Sequence, residues 1–261
     1  MSSGEYYLDP ELYDAIYSDV VADIAPHLEL MRQAGGPALE LCCGNGRLLI
    51  PTLEAGRACD GLDYDANMLA SLRAKLSARG LRANVFQGDM REFSLAGRYA
   101  LIAIPFNSFL HNLTQHEQLA TLGCCRRHLA PGGRLVLTTF HPSAEKLLEW
   151  SGQEKFLKEL PYENGRVRVY DRADDDRVEQ LRRMTRRIEF LDAAGTVVRR
   201  AAVNFTLRYI YKPEMELLLR VAGFARWQAR PAFASYTDAG SLAGERPLRE
   251  GDNIAWTAWN E

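Results

Sequence analysis

Residues 38–49 read Ala-Leu-Glu-Leu-Cys-Cys-Gly-Asn-Gly-Arg-Leu-Leu. Apolar residues lead into an acid, Glu40, and Gly44 and Gly46 then turn the chain into a helical pattern. A strand, a glycine turn and a helix start in that order form the nucleotide-cradling corner of a doubly wound α/β domain. Glycine lets backbone approach a ligand where a Cβ would collide. The spacing disfavours a dinucleotide, which wants a third glycine and a pyrophosphate on the helix N-terminus. With Gly44 and Gly46 as the first two, Leu49 occupies the third place. Glu40 adds a second objection, because a carboxylate repels a pyrophosphate and attracts an ammonium group.

Four further segments follow in the order such a domain requires. Asp60-Gly61-Leu62-Asp63-Tyr64-Asp65-Ala66-Asn67-Met68-Leu69 ends a second strand. An acid at that end accepts from ribose hydroxyls. Asp63 has this position, Asp60 falls inside the strand, and Asp65 reads as the N-cap of the next helix. An ordinary capping role is the competing reading of Asp63. Gln87-Gly88-Asp89-Met90-Arg91 follows the short apolar stretch 83–86. Tyr99-Ala-Leu-Ile-Ala-Ile-Pro105 is an uninterrupted apolar run that suits a buried central parallel strand, and it delivers Phe106–His111 to the ligand-binding edge. Pro131-Gly132-Gly133 is a turn before a last strand reaching Phe140.

These segments, across about 37–140, resemble the class I S-adenosylmethionine (SAM)-dependent methyltransferases. That family opens on an acid and a Gly-x-Gly-x-Gly-like loop. Here Cys42 stands at the first glycine and Arg47 follows Gly46; cysteine is small, so the loop is expected to keep its shape. SAM carries an ammonium and no phosphate, which suits Glu40. The resemblance implies cofactor contacts at Glu40, Cys42, Gly44, Gly46, Asp63, Tyr64 and Met68. It further implies an adenine contact from Asp89 and the Met90 backbone, with Pro105, Phe106 and Ser108 completing the cofactor side. The segment from Pro105 to His111 lacks the Asn/Asp-Pro-Pro-aromatic motif of DNA amino-methyltransferases. It is similar instead to small-molecule N-methyltransferases, including those that dimethylate amino sugars on nucleotide carriers, where a serine and a histidine match Ser108 and His111.

The expected fold is a doubly wound, mostly parallel seven-stranded sheet with an antiparallel β insertion over the active site. The expected core is 1–150 with 213–261, opened by an aromatic lid at about 1–30, and the insertion is 151–212. In the lid, Asp9 reads as an N-cap before Pro10, and Tyr13 and Tyr17 share a helix face. Aromatic faces attract a sulfonium or ammonium cation, and packing against the core is the alternative. Val167–Arg172, Val178–Asp192 and Val197–Tyr211 read as extended, with a turn at Ala193-Ala194-Gly195. The short helix Pro213–Ala222 follows, and two further strands are expected at Ala225–Arg230 and Asn253–Asn260. Insertion arginines, from Arg182 to Arg208, read mainly as a solvated face. Arg208 beside Tyr209 and Tyr211 is the candidate to clamp an anionic substrate. Asn107 and His141 complete the expected substrate residues.

Chemistry follows from alignment. In-line displacement at the sulfonium methyl needs an oriented nucleophile in a water-poor pocket, and orientation can supply about 7–11 kcal/mol. His111 is read as general base, as positioning group, or as a structural histidine. A nitrogen acceptor is expected over oxygen. The rivals are an O-methyltransferase on a phenol, sugar or carboxylate, a SAM-binding protein without catalysis, and more distantly a dehydrogenase.

Across 261 residues, 47% hydrophobic content is enough for a sizeable core and a net charge of −2 disfavours a general polyanion binder. The expected partners are a small-molecule substrate and, if any protein, a second copy in a homodimer, with neither nucleic acid nor membrane. A cytoplasmic location is expected, since no signal-like or membrane-spanning apolar run is present. The five cysteines include two adjacent pairs, which lack zinc spacing, so reduced buried thiols and no metal are expected.

Overall fold

A computed structural model of the chain describes residues 9–232 and 247–260. The aromatic opening residues Tyr6 and Tyr7 lie outside them. The helices are α1 (Pro10–Tyr17), α2 (Ile24–Ala34), α3 (Leu49–Glu54), α4 (Ala66–Ala78), α5 (Gln115–His128), α6 (Ala144–Trp150) and α7 (Lys212–Val221), with a 3-10 turn at Ser108–His111. The strands are β1 (Ala38–Leu41), β2 (Cys59–Asp63), β3 (Val85–Gln87), β4 (Tyr99–Ile104), β5 (Leu129–Phe140), β6 (Glu154–Tyr162), β7 (Gly165–Asp176), β8 (Leu181–Leu191), β9 (Val197–Arg208), β10 (Arg226–Pro231) and β11 (Asn253–Trp259).

The chain divides into two compact units, Val20–Pro142 with Ile210–Glu261, and Met1–Asp19 with Ser143–Tyr209. The divisions fall at 19/20, 142/143 and 209/210, against the 150/151 and 212/213 expected from sequence. Packing accounts for the first of these: Leu12 and Ile16 of α1 join Val167, Val169, Ile188 and Phe190 in one apolar cluster.

The larger unit holds a seven-stranded sheet in the order β10-β11-β5-β4-β1-β2-β3. β1 runs parallel to β2 and β4, β2 to β3, and β4 to β5. β11 pairs antiparallel with both β5 and β10, as expected for the edge. In β4, Leu101, Ile102, Ala103 and Ile104 are all buried, because a central parallel strand is covered on both faces. On one face, Met31 of α2 and Leu69, Leu72 and Leu76 of α4 pack with Ala38, Cys59 and Leu101. Each such leucine contributes about 1.5–3 kcal/mol by leaving water. Strand order reverses between β1 and β4, so the ligand crevice of an open α/β sheet falls at their carboxyl ends.

The smaller unit is an antiparallel sheet in the order β6-β7-β8-β9. β6 carries Lys155, Lys158, Glu159 and Pro161, which hid it from periodicity and mark it as an edge strand. On the face that carries Val167 and Ile188, apolar rungs alternate with ion pairs. Arg186 joins Asp171 at 2.7 Å and Arg182 joins Asp175 at 2.7 Å, all four side chains buried. Elsewhere Arg187 meets Glu154 and Glu189, Arg200 meets Glu189, and Arg168 meets Glu159. Much of the arginine content is thus neutralised within the sheet. β9 stops at Arg208, short of the expected Tyr211.

Candidate active site

The site is built at the β1–β4 crevice from the loop after β1. Cys42 adopts φ 57°, Gly44 φ 54° and Gly46 φ 96°. Cys42 thus takes the left-handed backbone that glycine prefers, and the loop retains its sharp course. Its thiol lies 3.8 Å from the Met90 sulfur, and burial raises its pKa well above the usual range. The two glycines do different work. A Cβ on Gly44 would meet nothing within 4 Å, so that position faces open space. A Cβ on Gly46 would fall 2.5 Å from Leu72 Cδ1 and 2.9 Å from Ile50, so Gly46 is required for packing. Arg47 closes the loop by donating to both Asp23 oxygens at 2.7 and 2.6 Å, with its guanidinium 4.5 Å from the Phe106 ring centre.

Asp63 ends β2 with 1% exposure. Its Oδ2 accepts from the Gly44 N–H at 2.8 Å and its Oδ1 from the Asp65 N–H at 2.9 Å. Asp65 in turn caps α4, accepting from the N–H groups of Asn67 and Met68. Tyr64 is largely exposed, whereas Met68 is 1% exposed and faces the core. Asp89 is engaged by Arg91, whose backbone N–H and Nε donate to Oδ1 and whose Nη2 donates to Oδ2. Burial pushes the Asp89 carboxyl upward, but the Arg91 hydrogen bonds outweigh it and the net shift is downward. Met90 is buried, with its sulfur near both Cys42 and Asn112.

After β4, Pro105 leads into Phe106 (φ 59°) and Asn107 (φ 61°). Two successive non-glycine residues in the left-handed region store strain, and such strain clusters at functional sites. The Asn107 N–H donates to Thr138 Oγ1 at 2.9 Å, while its buried Oδ1 has no hydrogen-bond partner among the described residues. Ser108 opens the 3-10 turn by donating its N–H to the Pro105 carbonyl at 3.1 Å. His111 closes the turn, and burial pushes its imidazole down to about 4, so it is neutral at pH 7. A small cleft with a cavity volume of about 40 Å³ lies beside Pro105 and Phe106, lined also by His27 and Leu30 of α2, Leu48 of the loop and Thr138 of β5, among others. Asp63 and Asp89 are not on its wall.

The remaining expected residues separate. His141 and Tyr211 come together, ring centres 5.4 Å apart and edge to face. Burial lowers the His141 pKa, and its Nδ1 is without a hydrogen bond among the described residues. Arg208 and Tyr209 belong to the smaller unit and are buried, with Arg208 donating to Gln180 Oε1 at 3.2 Å. Tyr13 and Tyr17 meet on α1 with ring centres 4.5 Å apart and planes tilted by 53°, and the Tyr17 hydroxyl accepts from Arg186 at 2.5 Å. Sequence reasoning missed His27, which faces Glu40 from α2 at 3.8 Å. Among the described residues no group of three or more His, Cys, Asp or Glu side chains is arranged to hold a metal. No described helix is long and apolar enough to cross a membrane.

Comparison with known proteins places the chain among methyltransferase-like folds. Residues 38–133 match a family described as a methyltransferase domain. Over 134 residues the chain is 31% identical to a dTDP-3-amino-3,6-dideoxy-alpha-D-glucopyranose N,N-dimethyltransferase of Streptomyces fradiae, covering 49% of this chain and 51% of that one. Over 132 residues it is 30% identical to the demethylmenaquinone methyltransferase of Thermus thermophilus, covering 49% and 58%. The chain thus spans about half the length of the curated relatives it matches. The SAM-bound structure of CalS10, an amino pentose methyltransferase from Micromonospora echinaspora, superposes with a TM-score of 0.71 at 22% identity, covering 99% of each chain. The fold is that of the class I SAM-dependent methyltransferases, and the chain resembles their sugar N-methylating members.

Proposed function

We propose that this chain is a SAM-dependent methyltransferase acting on a small molecule, with an amine nitrogen as acceptor and an amino sugar as the acceptor class. One observation carries the cofactor reading. Two buried carboxylates, Glu40 and Asp63, flank a glycine loop whose Gly44 faces open space. Carboxyl groups in that place can pair with the ammonium of a cationic amino acid and accept from ribose hydroxyls, and they offer a pyrophosphate no cation. The orphaned Glu40 Oε2 supports the same fit, since a buried acceptor without a partner calls for a donor from outside. On this reading Glu40 faces the ammonium. A carboxylate can accept about four hydrogen bonds, so Asp63 holds the loop with two and serves the ribose with others.

Bound SAM supplies an electrophilic sulfonium methyl. The protein's task is then to present a neutral nucleophile in line and to exclude water. Phe106 and Pro105 line the cleft. His111, held near 4 by burial, is too weak a base to take a proton from an alkylammonium of pKa about 10. It acts as an acceptor that orients an amine already neutral. The unpartnered Asn107 Oδ1 offers a second acceptor for an amine N–H. A hydroxyl nucleophile needs a base, so the depressed His111 favours nitrogen over oxygen.

The test is a turnover assay reading S-adenosylhomocysteine with nucleotide-linked amino sugars, simple amines and phenols as acceptors. Turnover with amino sugars is expected, and turnover confined to phenols overturns the acceptor class. A melting-temperature rise with a dinucleotide and none with SAM overturns the cofactor reading, because a ligand that binds only the folded state stabilises it.

A further inference from the structure

β1 places an acid in the interior of the parallel sheet. Glu40 pairs with Gly61 of β2 and Ala103 of β4, and is 2% exposed. His27 of α2, 7% exposed, stands with Nε2 3.8 Å from Glu40 Oε2. Neither atom has a hydrogen bond among the described residues. Two orphaned polar atoms facing each other at this range are a small side-chain adjustment from a hydrogen bond. The cleft beside Pro105 and Phe106 is lined by His27 and by Ala103, the β4 partner of Glu40.

The pair has two possible charge states. A carboxylate with an imidazolium places two charges in a dry interior, where desolvation is expensive. A carboxylic acid with a neutral imidazole places none. The surrounding groups select between them. Burial raises the Glu40 carboxyl to about 8, opposed by Arg47 of the glycine loop and assisted by Asp23 before α2 and Asp63 of β2. Burial lowers His27 to about 4, with Asp23 opposing and Arg47 assisting. The nearby thiols of Cys42, Cys43 and Cys59 are raised by burial and carry no charge. Both groups are therefore neutral at pH 7, with one proton on Glu40.

We infer that Glu40 and His27 form a one-proton site coupled to cofactor binding, in which Glu40 keeps its proton toward His27 Nε2 in the free protein and releases it when the α-ammonium of SAM arrives. His27 is a positioning residue, since it acts through Glu40. The step balances simply. The Glu40 O–H bond breaks, its proton passes to the buffer, and a carboxylate–ammonium pair replaces the neutral acid. No bond to the cofactor forms or breaks. This inference rests on the cofactor reading above and adds a property that reading does not require.

The experiment is calorimetric titration of the full chain with SAM at pH 6.5 in phosphate and in imidazole, buffers of different ionisation heat. Close to one proton released per SAM bound is expected, with affinity rising by up to tenfold per pH unit between pH 6 and 7.5. Glu40→Gln should bind SAM with almost no release. His27→Ala removes the acceptor and admits water, so release at pH 6.5 should fall. His27→Gln restores an acceptor and should recover it. Binding without proton release in the wild type overturns the coupling and leaves the cofactor reading intact, whereas absence of any binding heat overturns both. Ring-nitrogen NMR of the free wild-type protein is a second readout that no variant's misfolding can obscure. His27 should remain neutral from pH 5.5 to 8, and a midpoint near 6.5 overturns the proposal.

Discussion

Asp63 and Gly44 are 19 residues apart in sequence and 2.8 Å apart in space, the carboxylate of one accepting the backbone N–H of the other. With its second oxygen on the Asp65 N–H, Asp63 clamps the turn after β1 to the start of α4. Its substitution therefore tests structure and ligand binding together. Each hydrogen bond to a buried carboxylate contributes about 1.5–3 kcal/mol. Asp63→Ala should lower stability by about 2–4 kcal/mol, measured by urea denaturation, and weaken SAM binding at least tenfold by calorimetry. Asp63→Asn retains one acceptor but turns an amide N–H₂ toward the other backbone donor, so it should recover less than half the loss. Unchanged calorimetric affinity in both variants would remove Asp63 from the cofactor site.

The two loop glycines should separate by phenotype. Gly46→Ala forces a Cβ to 2.5 Å from Leu72 Cδ1 at φ 96°. Overpacking of that kind costs about 1–3 kcal/mol, to which backbone strain adds. Gly44→Ala meets no neighbour, so its stability cost is the left-handed conformation alone, about 1–2 kcal/mol. Its methyl enters the space where a ligand would approach. The expected result is a larger Tm loss for Gly46→Ala and a larger loss of SAM affinity, relative to stability, for Gly44→Ala. The reverse order would place the ligand elsewhere.

Much of the parallel sheet was legible because its strands are bounded apolar runs and its turns carry glycine or capping acids. Asp65, for instance, caps α4 as its position before Ala66 suggested. What escaped reading depends on contacts between elements far apart in the chain. That Gly46 is needed for packing follows from Leu72 on α4, and no local pattern reveals it. His27 faces Glu40 only because α2 lies on the sheet beside β1. β6 escaped because charges and Pro161 interrupt its alternation, which is how edge strands avoid unwanted pairing. The Asp89–Arg91 pair, by contrast, spans two residues and was within reach of the sequence.

His111 gives a prediction in pH. Its folded pKa of about 4 lies below the ordinary 6.5 of an imidazole, the cause being burial. The native state therefore binds fewer protons than the unfolded chain between those values. Stability from this group is complete above pH 6.5 and is lost as pH falls toward 4. His111 should show no ring titration by NMR between pH 5.5 and 8, and its titration should leave no inflection in kcat/KM over that range. His111→Ala should lower kcat/KM without altering the shape of the profile. An inflection near 6.5 that vanished in the variant would restore the general-base role.

The buried pair Asp171–Arg186 offers a stability test in the smaller unit. Arg186 donates Nε to Oδ1 at 2.8 Å and Nη2 to Oδ2 at 2.7 Å, while Nη1 donates to the Tyr17 hydroxyl at 2.5 Å. The two charged side chains are 9% and 7% exposed. Breaking such a pair on one side strands a buried charge and costs about 3–5 kcal/mol, while replacing both partners by apolar groups is often neutral. Asp171→Ala should therefore lower the denaturation midpoint sharply, and the double variant Asp171→Leu with Arg186→Met should recover most of the loss. Tyr17→Phe removes one hydrogen bond to the guanidinium, costing about 1–2 kcal/mol, and keeps the ring.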